Sequence, residues 1–240
     1  MENFTAESKL SKVIHANYLL LPVINRFGIK LGFGDKTIAE VCTERDINTN
    51  FFLAILNTFH NHSYFPEEEL RGFSCKTIVT YLRKSHSYFV NYSIPRLKTL
   101  LHNMLESAKD STGYAATLET FYNKYEQELI SHFNKEEAEV FPMVLEMEEM
   151  FSKGAKIQEK DKERLSIRSY EEEHEDVDDK LYDLKNIIIK YLEPVYNDNL
   201  CNAFLAALFQ FENDLQDHAR IEDKILMPKV VGIEKTLRNE

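Results

Sequence analysis

Chain breakers are scarce in this sequence: 240 residues hold 7 glycines and 6 prolines. A many-turned β fold needs such residues at its corners, so their shortage beside abundant Leu, Glu and Lys points to long helices. Cysteine is rare too. Cys42, Cys75 and Cys201 are odd in number and share no close spacing, which argues against a disulfide framework and a thiolate metal knuckle and makes each a small buried filler. Apolar runs fall short of the ~18–20 residues that a membrane span requires. The opening MENFTAESKL has neither a basic start nor an apolar stretch, so no membrane anchor and a cytoplasmic location are expected. Positive charge is also in deficit. With 29 Lys and Arg against 40 Asp and Glu the net charge is −11, which argues against a nucleic-acid phosphate track and leaves a solvated acidic face.

What is present is helical periodicity between clear breaks. Gly28, Gly32 and Gly34 punctuate the front, Asp110-Ser111-Thr112-Gly113 and Ser152-Lys153-Gly154 break the middle, and Pro194 interrupts a later pattern. Ile78, Leu82, Phe89, Leu97, Leu100, Leu101 and Leu105 recur as one stripe would. The spacing predicts four long helices, at about 72–109, 113–151, 158–192 and 196–229. Their linkers are short, so an all-α fold is expected: an up-down-up-down four-helix bundle over 72–230. Residues 1–65 read as a smaller helical N-terminal domain, with apolar clusters at Leu19-Leu20-Leu21 and Phe51-Phe52-Leu53. Those clusters would close over a core of their own or pair with a second copy.

Four of the eight histidines, His86, His132, His174 and His218, fall one per expected helix, 46, 42 and 44 residues apart. Each lies 20 to 25 residues from the breaks at Ser111, Gly154 and Pro194 beside it, roughly 30–38 Å of helix. In an antiparallel bundle all four therefore sit at one depth. Two carboxylates join that layer. Glu136 follows His132 by four residues and Glu222 follows His218 by four, a spacing that projects both side chains from one helix face. The two motifs share a tail, since Pro142 and Pro228 each stand ten residues after the histidine. The bundle reads as two helix-pair repeats, 72–151 and 158–229.

Imidazole and carboxylate ligands without thiolate suit iron, manganese or zinc more than copper(I) or an iron–sulfur cluster. Four imidazoles with two bridging glutamates compose a dinuclear site, with iron the first choice and zinc or manganese the fallback. A third His-x-x-x-Glu, His102 with Glu106, lies 16 residues beyond His86, about 4.4 turns, and so falls off the layer. Asp178 and Glu171 flank His174 at helical spacing and would orient its ring or belong to the solvated face. His15, His60 and His62 match no level and read as surface or loop residues, and Tyr88, Phe121 and Phe209 as packing.

The blocks SHFNKEEAEVFP (131–142) and QDHARIEDKILMP (216–228), each with a histidine upstream at His86 or His174, resemble haemerythrin-like domains, and more narrowly the Repair of Iron Centres family of di-iron proteins. That resemblance implies a non-haem di-iron centre, oxo- and carboxylate-bridged, with His86, His132, Glu136, His174, His218 and Glu222 as metal ligands. Oxygen-carrying haemerythrins differ by a fifth histidine four residues after the third-helix ligand and by an aspartate in place of the last glutamate. This sequence has Asp178 and Glu222 there, which disfavours oxygen storage. Residues 27–59 resemble the family's short N-terminal domain, but its adjacent cysteine pair is replaced by Gly32 and Phe33, which removes the basis for thiol chemistry in that domain.

The resemblance implies repair of iron–sulfur clusters damaged by nitrosative or oxidative stress, by iron donation to damaged iron–sulfur proteins. The alternatives are a di-iron redox enzyme acting on nitric oxide or peroxide, and an oxygen or nitric oxide sensor.

Overall fold

The computed structural model describes residues 2–107, 114–167, 177–191 and 196–238. The acidic run around His174 and the breaks at 110–113 and Pro194 lie outside the described residues. Among those described the chain is all α, and Lys9 and Thr37 alone pair as an isolated antiparallel bridge. The α-helices are α1 (Leu10–Ala16), α2 (Leu21–Arg26), α3 (Ile38–Glu44), α4 (Thr49–His60), α5 (Glu67–Arg71), α6 (Cys75–Tyr88), α7 (Ile94–Glu106), α8 (Tyr114–Lys135), α9 (Phe141–Ser152), α10 (Val177–Tyr191), α11 (Asp198–Ile221) and α12 (Met227–Arg238). No helix among the described residues is long and apolar enough to cross a membrane.

Three junctions are π-helical turns: Phe89–Ser93 joins α6 to α7, Glu136–Val140 joins α8 to α9, and Glu222–Leu226 joins α11 to α12. In each, the residue after the turn donates its N–H five residues back, Ile94 to Phe89, Phe141 to Glu136 and Met227 to Glu222. Pro95, Pro142 and Pro228 come next. A proline lacks the N–H that an α-helical bond would use, and its ring crowds the carbonyl four residues back. Widening the preceding turn keeps the helix continuous at that point. The prolines ten residues after His132 and His218 thus mark where the helix takes in an extra residue.

The chain forms two compact units, Met1–Ser85 with Asp217–Val230, and His86–Gln216 with Val231–Glu240. In the first, local signals place the short helices. Thr37 and Glu40 form a capping box at the start of α3, and the Asn48 side chain caps α4. Asn57 holds the N-terminal strand of chain by both amide atoms, accepting from Phe4 N–H (2.8 Å) and donating to Phe4 O (3.0 Å). Phe27 packs against Phe52 and Tyr81 with ring centres 4.9 and 5.4 Å apart. Segment 217–230 is fastened to this unit near α5. Arg71 donates to Lys224 O (3.2 Å), Lys229 donates to Arg71 O (2.8 Å), and the Arg220 guanidinium lies 4.6 Å from the Phe65 ring centre.

The second unit carries the core of a four-helix bundle. Leu97, Leu101 and Met104 of α7 meet Leu118, Tyr122, Tyr125, Leu129 and Phe133 of α8, Leu181, Leu184 and Ile188 of α10, and Phe204, Leu208, Phe211 and Leu215 of α11. The steps of three and four residues are those of one buried helical stripe. His86 meets Glu136 while Lys98, further along, meets Glu126, so the first two long helices run antiparallel.

The third long helix differs from the expected 158–192. The helix is seen over Val177–Tyr191, and residues 155–167 form a strap with one short 3₁₀ turn, Glu159–Asp161. Gly154, at φ 64°, ends α9. The strap then gives its backbone groups to α12. Ile157 N–H donates to Leu237 O (3.1 Å), Ile167 N–H to Glu234 Oε2 (3.1 Å), and Arg238 donates to Lys162 O and Leu165 O. Leu165 and Ile167 are buried. The same bonds account for α12 running to Arg238 rather than stopping near 229. Glu234→Ala should cost about 1–3 kcal/mol by leaving the buried Ile167 N–H without its acceptor, read as a lower denaturant midpoint at unchanged m-value.

Candidate metal centre

Glu136, the first residue of its π turn, is fully buried. Each of its oxygens meets a different imidazole: His86 Nε2 lies 3.1 Å from Oε2 and His132 Nε2 lies 2.9 Å from Oε1. The two histidines come from different helices, α6 and α8. Burial by itself pushes the Glu136 carboxyl up; hydrogen bonds from His132 and His86, with their charge, outweigh burial and hold it well below the usual carboxylate value. Glu136 is therefore an anion with its charge directed at two Nε2 atoms.

His86 is held by its ring faces and by both nitrogens. Its ring stacks with Phe133 (centres 4.4 Å apart, planes at 26°) and with Phe141 (5.4 Å, 11°). Its second nitrogen, Nδ1, lies 3.0 Å from Glu137 Oε1. Phe141 reaches this position because of the π turn. Five residues on from Glu136 in an α-helix it would point about 140° away, whereas the turn closed five residues back returns it to the same side.

In the other unit, His218 and Glu222 stand one turn apart on a continuous helix, and both are buried. His218 Nε2 lies 3.8 Å from Glu222 Oε2. Glu222 opens its π turn as Glu136 does, so the sequence repeat is also a repeat of backbone geometry. His174 lies outside the described residues. Asp178 falls at the start of α10.

Glu137 is the residue that sequence reasoning passed over. It adjoins Glu136, but nothing in spacing along one helix indicates that it reaches a histidine on another. The remaining histidines sort differently. His102 and Glu106 are exposed on α7, and His15 is exposed on α1. His60 is buried rather than at the surface, because Phe4 packs on its ring (4.4 Å) and Asn17 lies 3.5 Å from its Nδ1. Cys42, Cys75 and Cys201 are all buried and none is in a disulfide. Phe209, expected in packing, is instead half exposed beneath the Lys185 ammonium at 4.5 Å.

These donors fit a metal ion. A neutral imidazole has one N–H and one lone pair, yet both nitrogens of His86 face carboxylate oxygens. With the proton on Nδ1 toward Glu137, the Nε2 lone pair would oppose Glu136 unless positive charge sits there, either a second proton or a cation. The arrangement of carboxylate, imidazole and cation in line is the usual outer support of a histidine metal ligand.

Residues 77–230 match the hemerythrin HHE cation binding domain. The chain is also similar to the iron-sulfur cluster repair protein YtfE of Edwardsiella ictaluri (strain 93-146), at 25% identity over 167 residues, which is 70% of this chain and 67% of that protein. With the family's model covering well over half of its length, and with its buried imidazole–carboxylate motifs inside the matched region, the chain belongs to the hemerythrin HHE family of cation-binding domains.

Proposed function

We propose that this protein holds two iron ions through His86, His132, Glu136, His174, His218 and Glu222, and that it serves the repair of iron–sulfur clusters damaged by nitrosative or oxidative stress by giving up iron to the damaged proteins. The observation that carries this reading is the Glu136 carboxylate, which offers one oxygen toward each of two imidazoles from different helices. A carboxylate used at both oxygens suits a bridge between two cations better than a ligand to one. His218 with Glu222 repeats the same motif on the same kind of turn. The similar protein from E. ictaluri is named for iron–sulfur cluster repair, and the glutamate at 222 and aspartate at 178 run against an oxygen carrier.

A non-haem di-iron centre of this composition supplies exchangeable ferrous iron. The chain's own part is to hold it weakly enough. Imidazole ligands compete with protons near pH ~6.5, in contrast to a cage of thiolates. The three cysteines are buried, and burial pushes the thiols of Cys42 and Cys201 up, so neither is suited to taking a thiolate role.

The test is reactivation. Protein shown to contain two irons per chain is mixed, without oxygen but with sulfide and a thiol reductant supplied, with an enzyme whose [4Fe–4S] cluster has been destroyed by nitric oxide. Cluster absorption and activity should return as iron leaves the protein, and Glu136→Ala/Glu222→Ala should restore neither. A two-iron protein that returns no activity would sink the donor role.

A further inference from the structure

The two imidazoles on Glu136 are not equivalent. His86 is 4% exposed in its side chain, stacks with both Phe133 and Phe141, and has Glu137 at its far nitrogen. His132 is 22% exposed, and it meets Phe133 at a tilt of 54° with centres 5.8 Å apart rather than stacked. One ring is enclosed; the other stands at the edge of the site within reach of water.

For a cation to leave, an imidazole must turn away and another donor take its place. For His86 that motion would break two ring contacts and the bond to Glu137. For His132 it would begin from a ring that already borders solvent. An outer carboxylate on a metal-bound histidine also fixes the ring and raises its basicity, an effect worth about 10–100-fold in metal affinity. Each oxygen of Glu136 faces one of these unequal rings, so the inequality is passed to the two cation positions.

We propose that Glu137 is a positioning residue for His86 and that it divides the centre into a retained and an exchangeable position. The cation between Glu136 Oε2 and His86 stays, and the one between Oε1 and His132 is given up. This rests on the two-iron reading above and adds which of the two irons is delivered.

The experiment follows iron release from the two-iron protein into excess ferrous chelator. Wild type should release one iron quickly and the second about 10–100-fold more slowly. Glu137→Ala should speed the slow phase toward the fast one and leave the fast phase unchanged. Glu137→Gln, which keeps a carbonyl acceptor for the His86 N–H, should fall between. His132→Ala should hold one iron, released at the slow rate. Thermal unfolding of the metal-free Glu137→Ala protein should match wild type, separating a role at the metal from a merely structural one. Mössbauer spectra of ⁵⁷Fe-loaded wild type, taken after the fast phase, should show one iron environment remaining of two. Two irons leaving wild type at a single rate, or a slow phase indifferent to Glu137→Ala, would overturn this inference and leave the two-iron reading intact. A wild-type protein that never takes a second iron would overturn both.

Discussion

Glu136→Leu should strip the protein of its metal and yet leave the metal-free fold as stable as wild type, or more so. A carboxylate with no exposure is costly to bury, and in the absence of metal the His86 and His132 imidazoles help to offset that cost. Replacing a buried ionic group by an apolar side chain of similar volume is often neutral or stabilising by about 1–4 kcal/mol. With metal the order should reverse. A ligand present at a thousand times its dissociation constant stabilises the native state by about 4 kcal/mol, and the leucine variant forfeits that gain. The measurement is a pair of thermal unfolding curves per protein, in chelator and in ferrous iron, beside a metal assay. A leucine variant that loses stability in both conditions would show Glu136 to be a structural residue first.

The second large effect lies away from the centre. Lys185 of α10 and Glu212 of α11 pair inside the bundle, with side chains 9% and 8% exposed. Lys185 also sits over Phe209 and beside Tyr182. Lys185→Met leaves a carboxylate buried without its ammonium, which should cost about 3–5 kcal/mol. For a chain of this size that lowers the melting temperature by roughly 6–20 °C. Lys185→Met/Glu212→Leu should recover most of the loss, since the pair's attraction barely exceeds its desolvation. If the two single losses simply add in the double variant, the two residues act independently and the pair is not coupled.

The helical bundle was legible because its evidence is periodic. The stripe through Leu97 and Leu101 and the matched distances of His86 and His132 from the break between them lead directly to helices that run antiparallel, with both imidazoles at one carboxylate. What could not be read is whatever depends on a partner far along the chain. The strap at 155–167 is polar and charged enough to pass for the start of a helix, and only the carbonyls and carboxylate of α12 explain why it is not one. Burial of His60 is decided by Phe4, 56 residues earlier. Glu137 drew no reading of its own, because its contact depends on which way His86 turns. The stacking of Phe141 on His86 was hidden for a different reason: counting at 3.6 residues per turn puts it on the wrong side, and only the proline at 142 hinted that the count fails there.

The wide turns also set a rule about length. Each is an insertion carried inside a helix, a surplus residue that the backbone absorbs without a loop. Loops ordinarily accept gains and losses of a residue, whereas here the tolerance is inverted. Removing the exposed Ala138 would leave a perfectly good α-helix while turning everything after it by about 100°, so that Phe141 swings off His86 and the apolar face of α9 leaves the core. The chain near its candidate centre is thus fixed in residue count as much as in residue type, and a variant one residue shorter at 137–140 would keep its helix content and lose its site.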